Sequence, residues 1–265
     1  MKIWPGWDAE AQTTHTIDYL RERDSENPFC LFLSWGPPHH PYRLVPEEYL
    51  DQYDLDAIEG RPNCPDVPRE DLWGYFAQTT FLDDQFQRLI DAIADMGLDD
   101  DTIIVFSSDH GDMHGSQGVY KKQWPWNEAI KVPFAIRYPD VISSGARLDA
   151  PISVIDVMPT LLGLAGVPIP DTVEGVDLSP VLRGERTTPP ESVLIMNPCP
   201  FSIGDKRGFD QYPDYKGKRL EYRGVITDRY TYVRTIDEPW LLYDNDEDPY
   251  QLKNLIHDEA HNTIR

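Results

Sequence analysis

The stretch DDDTIIVFSSDHGD, residues 99–112, decides the fold class. Thr102 to Ser107 has the β-branched and aromatic make-up of a buried strand, and it gives way at once to polar residues and a glycine. Upstream, Leu82, Phe86, Leu89, Ile90 and Ile93 recur at the spacing of one helical face within Tyr75 to Met96, with Gly97 placed as a C-terminal cap. Downstream, Val132 to Tyr138 reads as another strand, and Ser153-x-x-Asp156 resembles a capping box opening a helix through Leu164, with Pro159 expected to bend or restart it. An earlier apolar run, Pro28 to Trp35, suits a buried strand, and Asp8 to Arg23 suits a surface helix. Strand, helix, strand, strand, helix in this order predicts an α/β fold, a mainly parallel sheet flanked by helices.

The tail differs. Val193 to Met196, Arg223 to Thr227, Tyr230 to Thr235 and Trp240 to Tyr243 are short strand candidates joined by turns, Thr227-Asp228-Arg229 is a tight hairpin, and DPYQLKNL from Asp248 reads as a closing helix. The expected division is therefore residues 1–190 as an α/β domain and 191–265 as a small antiparallel β subdomain. Between Val45 and Arg69, Pro, Asp and Glu dominate, which predicts a surface excursion with only short helices.

Composition excludes several functions. The net charge is −22, from 24 Lys and Arg against 46 Asp and Glu, and no basic stripe offsets it, so nucleic acid is not an expected partner. No segment approaches the roughly 18–20 uninterrupted apolar residues of a membrane span, and MKIWPGWDAE lacks the order of a signal peptide. Cys30, Cys64 and Cys199, odd in number and widely spaced, support neither a disulfide framework nor a zinc ribbon.

The chemistry concentrates past the strand at 102–107. Asp109, His110 and Asp112 crowd with Gly111 at its carboxyl end, where open parallel sheets place ligands. Neighbouring side chains on a strand point to opposite faces, so Asp109 and His110 converge on one metal ion only if the chain turns there, which Gly111 favours. The alternative is a plain strand-end turn. His39 and His40, held between Pro38 and Pro41 after the first strand candidate, are either an anion contact or structural. Lys121-Lys122 lies among Tyr120, Trp124 and Trp126, a setting for an anionic ligand and a sugar ring, or else a solvated pair beside core tryptophans.

Four stretches together resemble the type I sulfatases of the alkaline phosphatase superfamily: DAEAQTTHTIDYLRERDSENPFCLFLSWGPPHHPY, TIIVFSSDHGDMHGSQGVYKKQWPWNEAIKVPFAIRYP, SVIDVMPTLLGLAGVPIPDTVEGVDLSPVLRG and VITDRYTYVRTIDEPWLLYDNDEDPYQLKNL. The resemblance implies a Ca²⁺ site, with Mn²⁺ or Zn²⁺ as alternatives, that takes Asp109 and His110 as metal ligands. It also implies Lys122 and His39 as catalytic sulfate contacts. Lys122 is preferred to Lys121 because it stands nine residues before Lys131-Val132-Pro133. His40 occupies the family's Thr position, Gln117 stands where many members have His, and His114 is an additional imidazole; with Trp35 and Trp124 these are the expected substrate contacts.

The family's N-terminal Asp-Asp pair and its Cys/Ser-x-Pro-x-Arg formylglycine motif are not found. Cys64 begins Cys-Pro-Asp-Val-Pro-Arg and Cys199 begins Cys-Pro-Phe-Ser. The chain thus resembles a C-terminal sulfatase portion, expected to be inactive alone and to expose an apolar sheet edge. The implied activity is sulfate-ester hydrolysis on sulfated carbohydrates or smaller sulfated molecules. The rivals are a phosphodiesterase or phosphonate monoester hydrolase and a catalytically dead half-sulfatase that binds sulfated glycans. A separate N-terminal half or a second copy is the expected protein partner, and the family implies a periplasmic or secreted location.

Overall fold

The computed structural model describes residues 6–185, 188–198 and 221–264; Cys199 lies outside them. Contacts separate the chain into two compact units, residues 1–60 with 66–102, and residues 61–65 with 103–265. Among the described residues no helix is long and apolar enough to cross a membrane.

The first unit is helical. Helix α1 (Asp8–Glu22) buries Ala9, Ile17 and Leu20; α2 (Glu47–Leu50) and a 3₁₀ turn at Leu55–Ala57 punctuate the excursion; α3 (Arg69–Asp95) buries Ala77, Phe81, Leu82, Leu89, Ala92 and Ile93. The long helix begins earlier than its apolar periodicity suggests, because Glu70 and Asp71 in its first turn favour the positive end of the helix dipole. It stops at Gly97, which takes φ 66° while the N–H of Leu98 donates to the Ile93 carbonyl at 3.1 Å. Pro28 to Trp35 is extended, with Phe29, Leu31, Leu33 and Trp35 half-buried and Phe32 90% exposed. It forms no ladder among the described residues, since a strand is completed only by a neighbour's hydrogen bonds.

In the second unit, β1 (Ile104–Ser107) pairs with β2 (Phe134–Arg137), Val105 opposite Ile136 and Phe106 opposite Ala135. The pair is antiparallel, where a parallel arrangement was expected. Parallel neighbours need a crossover connection; the intervening chain instead doubles back through a 3₁₀ turn at Ser116–Gly118 and the short α4 (Asn127–Ile130). Helix α5 (Val154–Leu164) carries the Ser153/Asp156 capping box and runs unbroken through Pro159. After α6 (Ser179–Leu182) come β3 (Ser192–Asn197), β4 (Tyr222–Thr227), β5 (Tyr230–Thr235) and β6 (Pro239–Asp244), an antiparallel sheet in sequential order.

Within the second unit, Tyr222, Val233, Leu241 and Tyr243 of the sheet share one core with Met113, Val119, Trp124 and Trp126. One further expectation is corrected. DPYQLKNL is not a helix. Gln251 takes φ 55°, Asn254 accepts from the Leu242 N–H at 3.0 Å and donates to the Trp240 carbonyl at 2.9 Å, and Leu255 donates to the Leu242 carbonyl at 2.8 Å. These bonds to β6 replace those a helix would make with itself, leaving only a 3₁₀ turn at Glu259–His261.

The hairpin is pinned by Arg229, whose Nη2 and Nε reach Asp244 Oδ2 at 2.6 and 2.9 Å. Hydrogen bonding from Arg229 holds the Asp244 carboxyl below its usual value. A carboxyl whose pKa falls on folding contributes stability above its unfolded value, near 3.8, and loses that contribution as pH drops through the folded value. Urea midpoints of the native protein should therefore fall as pH is lowered below about 4, and Asp244→Asn should be less stable at neutral pH with a flatter acid limb. Identical acid limbs in the two proteins would refute this.

Candidate active site

The polar residues after β1 form a turn that aims two Lewis-basic atoms at one point. Asp109 Oδ1 accepts the N–H of His110 at 3.0 Å, so its other oxygen projects outward on a side chain 83% exposed. His110 Nδ1 lies 2.8 Å from the Gly111 carbonyl, which can only accept, so Nδ1 is the nitrogen that donates there. Its Nε2 is 3.3 Å from Asp109 Oδ2. A carboxylate oxygen and an imidazole nitrogen so placed, the latter oriented through a carbonyl behind it, fit two adjoining positions on one cation. Among the described residues no group of three or more His, Cys, Asp or Glu side chains gathers around an ion.

Gly111 is required by packing rather than by a left-handed backbone. Its N–H donates to the Ala129 carbonyl at 2.8 Å, and a Cβ there would collide with the carbonyl oxygen of Glu128. Asp112 is the organiser of the following loop: Oδ1 accepts the N–H groups of His114 and Lys121, each at 3.2 Å, and Met113 donates to the Lys121 carbonyl at 2.8 Å. Four non-glycine residues in this segment, His114, Gln117, Lys121 and Gln123, have φ between 41° and 74°. Such strain concentrates where a rigid surround fixes a functional loop. Lys122 is half-buried and Lys121 exposed, which distinguishes the two.

Three expected substrate contacts sit differently. Trp124, 2% exposed, donates to the Tyr120 carbonyl at 3.2 Å and packs on Trp126 at 5.7 Å between ring centres, so its faces belong to the core and not to a sugar. His114 is 9% exposed and lies inside the loop. Gln117 spends its amide on the chain itself, donating to the Gln251 carbonyl at 2.8 Å.

The histidine loop belongs to the first unit. His39 is exposed, its N–H donates to the Gly36 carbonyl at 3.2 Å, and its Nδ1 meets the His40 carbonyl at 2.8 Å. His40 stacks on His39 at 4.2 Å. Trp35 gives its indole N–H to Thr13 at 3.1 Å and meets Phe86 edge-on, so it serves the helical core. The loop is seated by Gln78, 1% exposed, which donates to the Pro41 and Leu44 carbonyls at 3.0 and 3.4 Å. The sequence reading missed Gln78, as it missed Asn63 and Glu128 described below; the available signal was a glutamine inside the apolar face of α3, since a buried polar group is the informative departure.

A family model described as Sulfatase matches residues 5–167. The ulvan-active sulfatase of Formosa agariphila is 36% identical over 97% of this chain and 49% of its own length, and the endo-4-O-sulfatase of Bacteroides thetaiotaomicron 33% over 96% and 53%. The chain thus spans about half the length of the curated relatives it matches. A Bacteroides thetaiotaomicron structure described under the metabolism of multiple glycosaminoglycans superposes with a TM-score of 0.84 at 31% identity, covering 97% of this chain and 56% of that one. The phosphonate monoester hydrolase of Agrobacterium radiobacter shares the fold, with a TM-score of 0.81 at 23% identity over 99% and 60%. The helices with a small C-terminal antiparallel sheet are those of the alkaline phosphatase-like superfamily, and the chain belongs to the sulfatase family.

Proposed function

We propose that the complete protein hydrolyses sulfate esters of carbohydrates, and that this chain supplies part of its metal site and its sulfate-binding cations. The observation that carries the proposal is the 3.3 Å approach of Asp109 Oδ2 and His110 Nε2, with His110 Nδ1 turned to the Gly111 carbonyl. Asp109 and His110 would hold a hard dication, Ca²⁺ in preference to Mn²⁺ or Zn²⁺, which when bound neutralises charge on the sulfate oxygens. Lys122 holds the sulfate by its ammonium group, and His39, as the imidazolium, gives a proton to the leaving sugar oxygen as the S–O bond breaks. The nucleophile, a formylglycine by family resemblance, is expected from a segment outside this chain. Carbohydrate substrates are supported by the names of the ulvan-active and endo-4-O-sulfatase relatives. At a net charge of −22 the chain repels sulfated polymers in bulk, so recognition falls to these local cations.

The decisive assay compares the 265-residue chain with the complete protein, co-expressed with a formylglycine-generating enzyme, on an aryl sulfate and an aryl phosphodiester with and without calcium. Calcium-dependent sulfatase turnover by the complete protein, lost in Asp109→Ala and absent from the chain alone, is the expected result. Preference for the phosphodiester would transfer the protein to the phosphonate hydrolase branch. Silence on both substrates would favour a sulfated-glycan-binding protein.

A further inference from the structure

Glu128 is the most deeply placed acid near the candidate metal turn, and the chemistry above does not use it. Its side chain is 5% exposed. Oε1 accepts from Arg61 Nε at 2.8 Å and Asn63 Nδ2 at 3.0 Å. Oε2 is buried with no hydrogen-bond partner among the described residues, and so is Asn63 Oδ1. Burying a carboxylate with one oxygen unsatisfied is costly. An acid used only for stability would sit where both oxygens are served.

The contacts of this group lead to the turn. Residues 61–65 belong to the second unit although the chain on either side belongs to the first. Asn63 donates to the Tyr250 carbonyl at 2.9 Å and accepts the Gln117 N–H at 2.8 Å; Gln117 in turn donates to the Gln251 carbonyl, and Gln251 Oε1 accepts the Asn127 N–H at 3.0 Å. A closed ring of hydrogen bonds thus grips α4 from both sides. The backbone of α4 at Glu128 and Ala129 is the surface on which Gly111 rests, by van der Waals contact with one carbonyl and a hydrogen bond to the other.

We infer that Glu128, clamped by Arg61 and Asn63, is a positioning residue that fixes the Asp109–His110–Gly111 turn through the α4 backbone. The inference rests on the metal reading above and deepens it. The clamp acts through Oε1, which accepts from both Arg61 and Asn63. Glu128→Gln keeps that acceptor and Glu128→Ala removes it.

The test uses the complete protein, with calcium affinity read by titration calorimetry and exchange of the Gly111 amide read in the metal-free state. Glu128→Ala should weaken calcium about 10- to 100-fold, the usual effect of removing support behind a ligand, and speed Gly111 exchange. Glu128→Gln should stay close to wild type in both. Ile256→Ala, a core truncation in the C-terminal segment, controls for lost stability and should leave both unchanged. Unaltered Gly111 exchange in Glu128→Ala, or equal losses in Ile256→Ala, would overturn the clamp whether or not calcium binds. A wild type that binds no calcium would overturn the metal reading and the inference with it, even if the exchange result holds.

Discussion

Lys122→Ala in the complete protein is expected to lower kcat for sulfate esters by about 10²- to 10³-fold, the range for removing one preplaced group that meets charge developing in the transition state. The geometry separates the two adjacent lysines. Lys121 is exposed, and its backbone, at φ 64°, is tied by its N–H to Asp112; Lys122 follows, half-buried. Lys121→Ala should therefore cost little by comparison, and Lys122→Arg should not restore full activity, because a planar fork does not replace a compact ammonium. Steady-state kinetics on one substrate decide it: equal losses in Lys121→Ala and Lys122→Ala would remove Lys122 from the proposed site. His39→Ala should act on kcat by about 10²- to 10⁴-fold as a lost general acid, most strongly on esters with poor leaving groups.

What the sequence disclosed and what it hid follow one physical division. Local periodicity located α3, the Ser153/Asp156 capping box and the Asp228-Arg229 hairpin, because each is decided by residues a few positions apart. It placed Asp109 and His110 at the end of a strand for the same reason. The closing helix failed because Asn254 bonds to β6, and the core that Tyr222 and Val233 share with Trp124 and Trp126 was hidden because those residues stand far apart in sequence. Gln78, Asn63 and Glu128 were invisible because their partners stand far off in sequence: 37 residues from Gln78 to Pro41, 65 from Asn63 to Glu128, and 187 from Asn63 to Tyr250. No window of neighbouring residues contains those bonds. Trp124 could be read as a sugar platform or as core because the hydrophobic content of a tryptophan suits both equally, and only burial separates them.

Gly111→Ala is expected to cost activity well beyond its cost in stability. The added Cβ would overlap the Glu128 carbonyl oxygen, which is backbone and cannot swing aside as a flexible side chain would. Either the turn or α4 must shift, at a cost of about 1–3 kcal/mol for overpacking. The shift also breaks the Gly111 N–H bond to Ala129 and carries Asp109 and His110 away from each other. Misplacement of reacting groups on the order of 1 Å lowers turnover by about 10²-fold, so activity should fall further than stability alone predicts. Gly97→Ala is the informative comparison: its φ is 66°, and a Cβ there meets open space, so it strains the end of α3 by about 1–2 kcal/mol without touching the turn. With the two variants matched in melting temperature, calcium affinity and kcat should collapse only in Gly111→Ala. Equal behaviour would mean that Gly111 serves stability alone and that the Asp109–His110 approach is not held from behind by α4.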